Sequence, residues 1–292
     1  MVGSNDSQQA FLFLLPMALV FSIFLILPII ATFVFSFSNY DLLSPPSFVG
    51  LKNYISAFQD TRVMGIFLTT FKLAISLVLL HSIIGLLLAL FVQSVSIKMQ
   101  GFYRFILYTP VAITTASMAI AWKYIFNRDF GIMNWLLNIF NLEAIPWLTS
   151  SQYVFTSILI FSVWKFVGTS FLYFLIGLNG IPNDIYEASY IDGAGPIARF
   201  FRITLPMLTP TILFVVTVLF INTLQIFDEP FFLTNGGPGD ASRTVNLFIY
   251  EVAFRRFDLG YSSALAVLLF LVILIISVSQ NKFSNKWVNY DR

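Results

Sequence analysis

The amino-acid sequence predicts an all-α integral membrane protein with six transmembrane helices, and three observations support this fold class. Of the 292 residues, 58% are hydrophobic and only 10% are charged, whereas a soluble domain carries about 25% charged residues. The apolar residues form continuous runs, not the alternating pattern of a transmembrane β-barrel. Each run reaches the roughly 20 residues that a helix needs to cross about 30 Å of hydrocarbon.

The apolar runs define a single transmembrane domain over residues 1–292. We predict mostly uninterrupted spans at about residues 11–36, 67–94, 103–126, 153–179, 205–227 and 261–280, with a loop at about 180–204. The fourth span includes Lys165, whose insertion costs about 2.5–3.5 kcal/mol. Fifteen Leu, Ile, Phe and Val side chains between residues 154 and 178 outweigh this cost, because each contributes about 0.3–0.6 kcal/mol.

The first span is predicted to be a retained helix and not a cleaved signal peptide. Residues 1–10 contain no Lys or Arg, and the apolar run is longer than a typical signal-peptide core. An even number of spans places both termini on the same side of the membrane. The basic C-terminal tail, with Lys282, Lys286 and Arg292, favours the cytoplasm as that side.

The composition excludes several classes of function. The chain has no Cys and a single His, His81, so disulfides, thiolate metal sites and a His-based metal cluster are excluded. The net charge of +2 is too small to indicate nucleic-acid binding. No Gly-Lys dipeptide occurs, so the phosphate-binding loop Gly-x4-Gly-Lys-Ser/Thr is missing. We therefore expect no catalytic site, no metal and no cofactor on this chain.

The loop at about 180–204 has the pattern of two short helices joined by a bend. Asp184 and Glu187 have the spacing of a capping box, with Asp in place of Ser or Thr. Gly193 is a natural helix stop, and Pro196 is a natural first residue of the next helix. The pattern predicts a helix of about two turns, a bend at Gly193, and a second short helix that leads into the fifth span.

The side chains of this loop suggest a contact with another protein. The small residues Ala188 and Ser189 leave a face that can enter a partner's cleft closely. The acidic residues Glu187 and Asp192 can pair across such a contact, as can the basic Arg199 and Arg202.

The same loop resembles a family signature. Glu187-Ala188-Ser189, Gly193, Ile203 and Leu205-Pro206 match the spacing of the cytoplasmic motif in permease subunits of bacterial ATP-driven (ABC) importers, with Ser189 replacing an Ala. The resemblance implies the type I ABC importer permease fold and makes this loop the coupling helix, which docks into a groove on an ATPase subunit. The residues that it assigns to this coupling are Glu187, Ala188, Ser189, Asp192, Gly193, Ala194, Arg199, Ile203, Leu205 and Pro206.

Other segments narrow the resemblance to carbohydrate permeases of the maltose and glycerol-phosphate group. These segments are Phe48–Tyr54, Trp122–Phe126 with Gly131–Asn134, and Leu233–Gly239 with Tyr250–Phe254 and Asp258–Ala264. The resemblance implies a sugar importer with a second, different permease, two ATP-binding subunits that carry ATP and Mg, and an extracellular or periplasmic solute-binding protein. It also implies alternating access driven by closure of the ATPases.

Candidate substrate-pathway residues lie near the end of the fifth span. Asn222, Gln225 and Asp228 follow one another at spacings of three, which on one helix would form a single polar stripe. Phe220 and Phe227 lie nearby and supply aromatic faces for a sugar. Polar groups also join helices inside membranes, so a helix-packing role for this stripe stays open.

Two further ionisable residues lie at membrane depth, where charges are costly and often functional. For His81 we expect a hydrogen bond to a neighbouring helix in preference to a substrate contact. For Lys165 we expect helix packing or snorkelling to the interface in preference to a ligand role.

Two alternative functions remain at the level of the sequence. One is an ABC importer permease for a non-sugar solute such as an amino acid, phosphate or polyamine, against which the outer-loop resemblance argues. The other is an ion-driven secondary transporter or a channel. That class favours an internal repeat and discontinuous helices at a midplane ion site, and no clear inverted repeat is visible in the sequence.

Overall fold

The fold is almost entirely helical, as seen in a computed structural model that describes residues 4–284 and 287–288, with side chains from residue 13 onward. Lys286 and Arg292 of the predicted cytoplasmic tail lie outside the described residues. The helices are α1 (Ser4–Phe21), α2 (Leu27–Ser36), α3 (Lys52–Gln59), α4 (Thr61–Ser94), α5 (Ile97–Ala112), α6 (Thr115–Ile125), α7 (Ile132–Ile139), α8 (Val154–Asn179), α9 (Asn183–Ile191), α10 (Pro196–Arg199), α11 (Leu205–Met207), α12 (Thr209–Leu224), α13 (Asp228–Thr234), α14 (Val245–Tyr250) and α15 (Leu259–Ser284).

Short irregular elements join some of these helices. Single π-helical turns follow α1, α10 and α14 at Ser22–Ile26, Phe200–Thr204 and Glu251–Arg255. Strands β1 (Ser38–Asn39) and β2 (Ser47–Phe48) form an antiparallel pair.

Four continuous helical segments are long and apolar enough to cross a membrane: residues 13–36, 61–94, 154–179 and 259–284. Two bent pairs, α5 with α6 and α10–α11 with α12, qualify only when each pair is taken together. The described residues therefore contain up to six spans. The expectation of mostly uninterrupted spans is wrong for the third and fifth.

The third predicted span is broken into α5 and α6, which meet at 96°. Pro110 lies near the end of α5, where its ring removes a backbone donor. Thr114 then caps the new helix, because its Oγ1 accepts a hydrogen bond from the Ser117 amide at 3.4 Å. The break therefore has a local cause on both sides.

The fifth predicted span is also bent, by 64° at Leu208. Pro206 and Pro210 lie on either side of the bend, each within the first two residues of its helix. Proline fits the first turn of a helix but cannot continue a preceding one. The continuous span predicted at 205–227 is consequently shorter, and α12 ends at Leu224.

Residues 4–64 and 248–271 belong to one compact unit. In it, the β1–β2 pair is held by side chains of α3: the Asn53 amide donates to the carbonyls of Ser36 and Ser38 at 3.0 and 2.9 Å. The Tyr54 hydroxyl donates to Ser36 Oγ at 2.6 Å. The segment Phe48–Tyr54, singled out in the sequence, thus builds this strand connection.

Residues 65–247, 272–284 and 287–288 belong to the second unit, which contains the helix pairs that matter for function. Here α8 packs against α5 and α12, and α13 packs against α6 and α8. Helices α5 and α8 approach so closely that a Cβ on Gly168 would lie 2.3 Å from the Leu107 carbonyl oxygen. A small residue at this crossing is the usual way in which membrane helices come into backbone contact.

In the second unit, the motif Gly131–Asn134 is joined to the segment before α8 by several hydrogen bonds of Asn134. The Asn134 amide nitrogen donates to the Ile145 carbonyl at 2.9 Å, and its oxygen accepts from the Ile145 amide at 2.9 Å and from Trp147 Nε1 at 3.0 Å. The motif therefore holds the connection between α7 and α8.

Candidate functional site

The second unit contains a cavity of about 350 Å³ between α4, α8, the end of α12 and the start of α13. Its lining combines apolar and aromatic side chains with a small number of polar groups. Such a combination is typical of a small-molecule site, because apolar surface provides contact area and a few polar groups fix orientation.

The predicted polar stripe reaches this cavity, but not as a stripe on one helix. Asn222 is on α12, Gln225 follows its last residue, and Asp228 begins α13. The prediction of one continuous helix through these positions is therefore wrong. All three side chains nevertheless line the cavity and are exposed, so the break in the helix brings them together.

Of the two aromatic candidates, only Phe227 lies in the cavity lining. Phe227 lines the cavity, and its ring stacks on Phe231 with centroids 5.1 Å apart. Phe220 instead packs against the buried core formed by α8 and α12 and does not line the cavity. Tyr173 and Phe166, which the sequence did not single out, supply the other aromatic surfaces.

His81 lies on α4, lines the cavity and is only 3% exposed. Its Nε2 is 3.2 Å from the carbonyl oxygen of Ser162 on α8, which confirms the expected bond to a neighbouring helix. Because a carbonyl oxygen only accepts, the neutral ring carries its hydrogen on Nε2 and its lone pair on Nδ1. Nδ1 is buried without a hydrogen-bond partner among the described residues.

Lys165 is buried, with 1% exposure, and its ammonium group does not snorkel. Nζ donates to the carbonyl oxygens of Pro110 and Ile113 at 3.1 and 2.7 Å. These carbonyls lie at the break between α5 and α6, where helix ends leave acceptors without intrahelical donors. The helix-packing expectation for Lys165 is confirmed, and the snorkelling alternative is wrong.

Glu229 is a cavity residue that the sequence analysis missed. It is 6% exposed, lines the cavity, and its Oε1 lies 3.5 Å from Ser162 Oγ. A buried carboxyl in a membrane protein is a functional candidate by default. The signal available was the pair Asp228-Glu229, two adjacent acidic residues directly after a long apolar run.

The loop between α8 and α12 has the predicted two-helix arrangement. Helix α9 runs over Asn183–Ile191, Gly193 has φ +73°, and Pro196 is the first residue of α10. The positive φ explains the glycine, because residues with a Cβ rarely adopt this conformation. The predicted capping box is wrong: the helix starts after Pro182, which has no side chain able to cap it.

This loop presents a mixed acidic and apolar surface. Glu187, Ala188 and Asp192 are exposed, as are Ile191 (87%) and Ile197 (75%). These five residues are called the α9–α10 surface below. A large exposed apolar group beside charges is typical of a protein contact.

The other residues assigned to coupling hold the loop in place. Ser189 is 5% exposed and donates to the Tyr186 carbonyl at 2.6 Å, so the prediction that it lies on the contact face is wrong. The Arg199 guanidinium stacks 3.6 Å from the centre of the Tyr190 ring. Half-buried positions that continue into the bent span are Ala194, Ile203, Leu205 and Pro206.

Comparison with known proteins identifies the class of molecule. The fold matches that of the permease in a crystal structure of a bacterial ABC transporter involved in the import of the acidic polysaccharide alginate, with a TM-score of 0.87, 22% identity and 98% coverage of both chains. A second structure, of the alginate transporter in complex with an alginate pentasaccharide-bound periplasmic protein, gives a TM-score of 0.86. No protein-family model matches the chain. The fold is therefore that of an ABC importer permease, in a multi-pass membrane protein.

Curated relatives give the family. The chain is 33% identical to the trehalose/maltose transport system permease protein MalF of Thermococcus litoralis and 34% identical to the sulfoquinovosyl glycerol transport system permease protein SmoG of Agrobacterium fabrum. The alignments cover 94% of this chain in both cases, and 92% and 89% of those proteins. A probable ABC transporter permease protein, YurN of Bacillus subtilis, is 32% identical, with 94% of each chain covered.

The chain belongs to the family of ABC transporter permease subunits. Permease subunits of this family are transport components, and the ATPase activity lies in separate subunits. The sequence has no phosphate-binding loop, which agrees with this separation of transport and ATPase subunits.

Proposed function

We propose that this protein is the permease subunit of an ATP-driven sugar importer and that it forms half of the sugar pathway. The observation that carries the proposal is the cavity of about 350 Å³, in which exposed Asn222, Gln225 and Asp228 lie beside Phe227 and Tyr173. Amide and carboxylate groups bind sugar hydroxyls, and aromatic rings pack against the apolar faces of sugars. The names of MalF and SmoG, which refer to trehalose, maltose and sulfoquinovosyl glycerol, support a carbohydrate cargo.

The α9–α10 surface docks on an ATPase subunit in this proposal. Its exposed Ile191 and Ile197 supply apolar contact area, and Glu187 supplies a charge that orients the contact. Gly193 sets the angle between α9 and α10. Because the loop continues into the bent fifth span, which leads to Asn222 in the cavity, movement of the loop is transmitted to the substrate pathway.

The remaining partners follow from this assignment. A second permease completes the pathway, two ATP-binding subunits hold ATP and Mg, and a solute-binding protein delivers the sugar. The structure of the alginate transporter in complex with an alginate pentasaccharide-bound periplasmic protein supports a solute-binding protein for this chain too. With the α9–α10 surface in the cytoplasm, both termini lie in the cytoplasm of a bacterial cell.

The test is a charge reversal in the complete transporter, reconstituted in proteoliposomes. The variant Glu187→Arg should reduce ATP-driven uptake of the sugar about tenfold or more, because it places the wrong charge in the docking contact. The fold of the chain should be retained, since Glu187 is exposed. Uptake and co-purification of the ATPase subunit are measured together.

The matched control is Glu143→Arg. Glu143 is also exposed, but it precedes α8, whereas Glu187 follows it, so one membrane span separates the two positions. Normal uptake by Glu187→Arg would contradict the coupling role. Sugar uptake driven by an ion gradient without ATP would contradict the proposed function as a whole.

A further inference from the structure

The charges around the cavity are strongly one-sided. Of the fifteen residues that line it, two are acidic, Asp228 and Glu229, and none is Lys or Arg. Asp228 is exposed and lines the cavity. Lys165 on α8 interacts electrostatically with both carboxyl groups.

Lys165 is not available to a ligand in the cavity. It does not line the cavity, and its ammonium group donates to the carbonyls of Pro110 and Ile113 at 3.1 and 2.7 Å. Its position on α8 lets it offset part of the acidic charge through space. It does not give the cavity a cationic donor.

His81, on α4, adds an acceptor to the lining of the cavity. Its Nε2 is engaged by the Ser162 carbonyl at 3.2 Å, so the lone pair on Nδ1 remains for a ligand or a water molecule. This nitrogen is buried, it has no partner among the described residues, and its ring lines the cavity. An unmade hydrogen bond at such a place is unfavourable, and a hydroxyl donor would satisfy it.

The fold by itself does not decide the charge of the cargo. The same fold serves the acidic polysaccharide alginate in the transporter of known structure. The difference between neutral and acidic cargo must therefore come from side chains that line the pathway.

We infer that this cavity selects uncharged, hydroxyl-rich saccharides and excludes saccharides that carry carboxylate, sulfonate or phosphate groups. Asp228, Glu229 and His81 Nδ1 accept hydrogen bonds from hydroxyl groups, and Asp228 repels an anionic cargo without a lining cation to neutralise it. This inference rests on the proposed function, because it concerns the cargo of the same cavity.

The natural absence of cysteine permits a direct test of this charge. A single thiol is introduced by Asn222→Cys, at an exposed cavity position, in membranes that contain the complete transporter. It is reacted separately with cationic trimethylammonioethyl methanethiosulfonate and with anionic sulfonatoethyl methanethiosulfonate. The two modification rates are read from the mass of this chain alone, so thiols on partner subunits do not interfere.

The control thiol is Ser151→Cys, in the exposed loop before α8 and outside the cavity lining. Relative to this control, we expect the Asn222→Cys thiol to prefer the cationic reagent by about tenfold or more, because a one-sided field concentrates counter-ions. Adding Asp228→Asn should return the preference towards the control value. Equal preference at the two thiols, or a preference for the anionic reagent in the cavity, would overturn the inference.

Uptake measurements separate this inference from the proposed function. If the reconstituted transporter imports no sugar while the thiol keeps its cationic preference, the proposed function is wrong, the selection among saccharides falls with it, and only the negative field of the cavity is established. If a uronic-acid trisaccharide enters as fast as a neutral trisaccharide, the charge selection is wrong and the sugar importer stands.

Discussion

At the scale of single residues, Lys165 shows how a charge can be stable inside a membrane helix. Its Nζ donates to two backbone carbonyls at the break between α5 and α6. In water, solvent would satisfy these carbonyls, whereas inside the membrane Lys165 does so. The sequence showed the cost of Lys165 but not its partners, because those partners are backbone atoms 52 and 55 residues away.

We expect Lys165→Met to destabilise the protein by about 1.5–3 kcal/mol, the range for a hydrogen bond from a charged group whose buried acceptors are left without a donor. The measurement is thermal unfolding of the detergent-solubilised transporter. Lys123→Met is the control, since Lys123 is exposed in the last turn of α6. A melting temperature for Lys165→Met equal to that of the control would contradict the role assigned to the two hydrogen bonds.

The cavity residues show where a prediction from residue spacing fails. Asn222, Gln225 and Asp228 were identified as a group because of their spacing, but that spacing assumed a helix that in fact ends at Leu224. No Gly or Pro occurs between residues 222 and 229, so nothing local marked the end of the helix. Glu229 and the free Nδ1 of His81 become visible only when α4, α8 and α13 are packed together.

At the scale of elements, the most informative contact is the crossing of α5 and α8. Gly168 allows the two backbones to touch, since an added Cβ would lie 2.3 Å from the Leu107 carbonyl oxygen and 3.1 Å from the Tyr108 Cα. Lys165 and Gly168 therefore hold α8 against α5 in two different ways. Lys165 donates hydrogen bonds, and Gly168, one turn later along α8, has no side chain to keep the backbones apart.

We expect Gly168→Ala to destabilise the protein by about 1–3 kcal/mol, because the clash is with backbone that cannot rotate away. Gly101→Ala is the matched control on α5: its added Cβ meets nothing within 4 Å. That variant should be neutral or stabilising by up to about 1 kcal/mol, since Ala is the better helix former. Both are measured by thermal unfolding in detergent, and equal effects of the two variants would argue against the close crossing.

The observed helix ends and bends show which features local sequence can predict and which it cannot. The bend at Gly193 and the helix start at Pro196 were predicted correctly, because both depend on the conformational preferences of one residue. The breaks at Pro110 and Leu208 were not predicted, because proline is common in membrane helices and breaks them only where other groups satisfy the freed backbone. In the third span that group is Lys165, which is distant in sequence.

At the scale of the whole molecule, composition and one motif were enough to identify the class of protein. With 10% charged residues, lipid had to be the solvent, and the spacing from Glu187 to Pro206 matched a family to which the chain does belong. The substrate pathway could not be predicted in the same way, because its chemistry depends on residues that are far apart in sequence and meet only after folding.

The bond between Lys165 and the broken third span has a consequence for biogenesis. Pro110 and Ile113 are synthesised 55 and 52 residues before Lys165. Helices α5 and α6 are therefore made before the side chain that donates to their carbonyls. These two hydrogen bonds can therefore form only after α8 has been synthesised and lies beside the third span. Assembly of the third span with α8 thus follows synthesis of the fourth span, whatever the order in which the two spans enter the lipid.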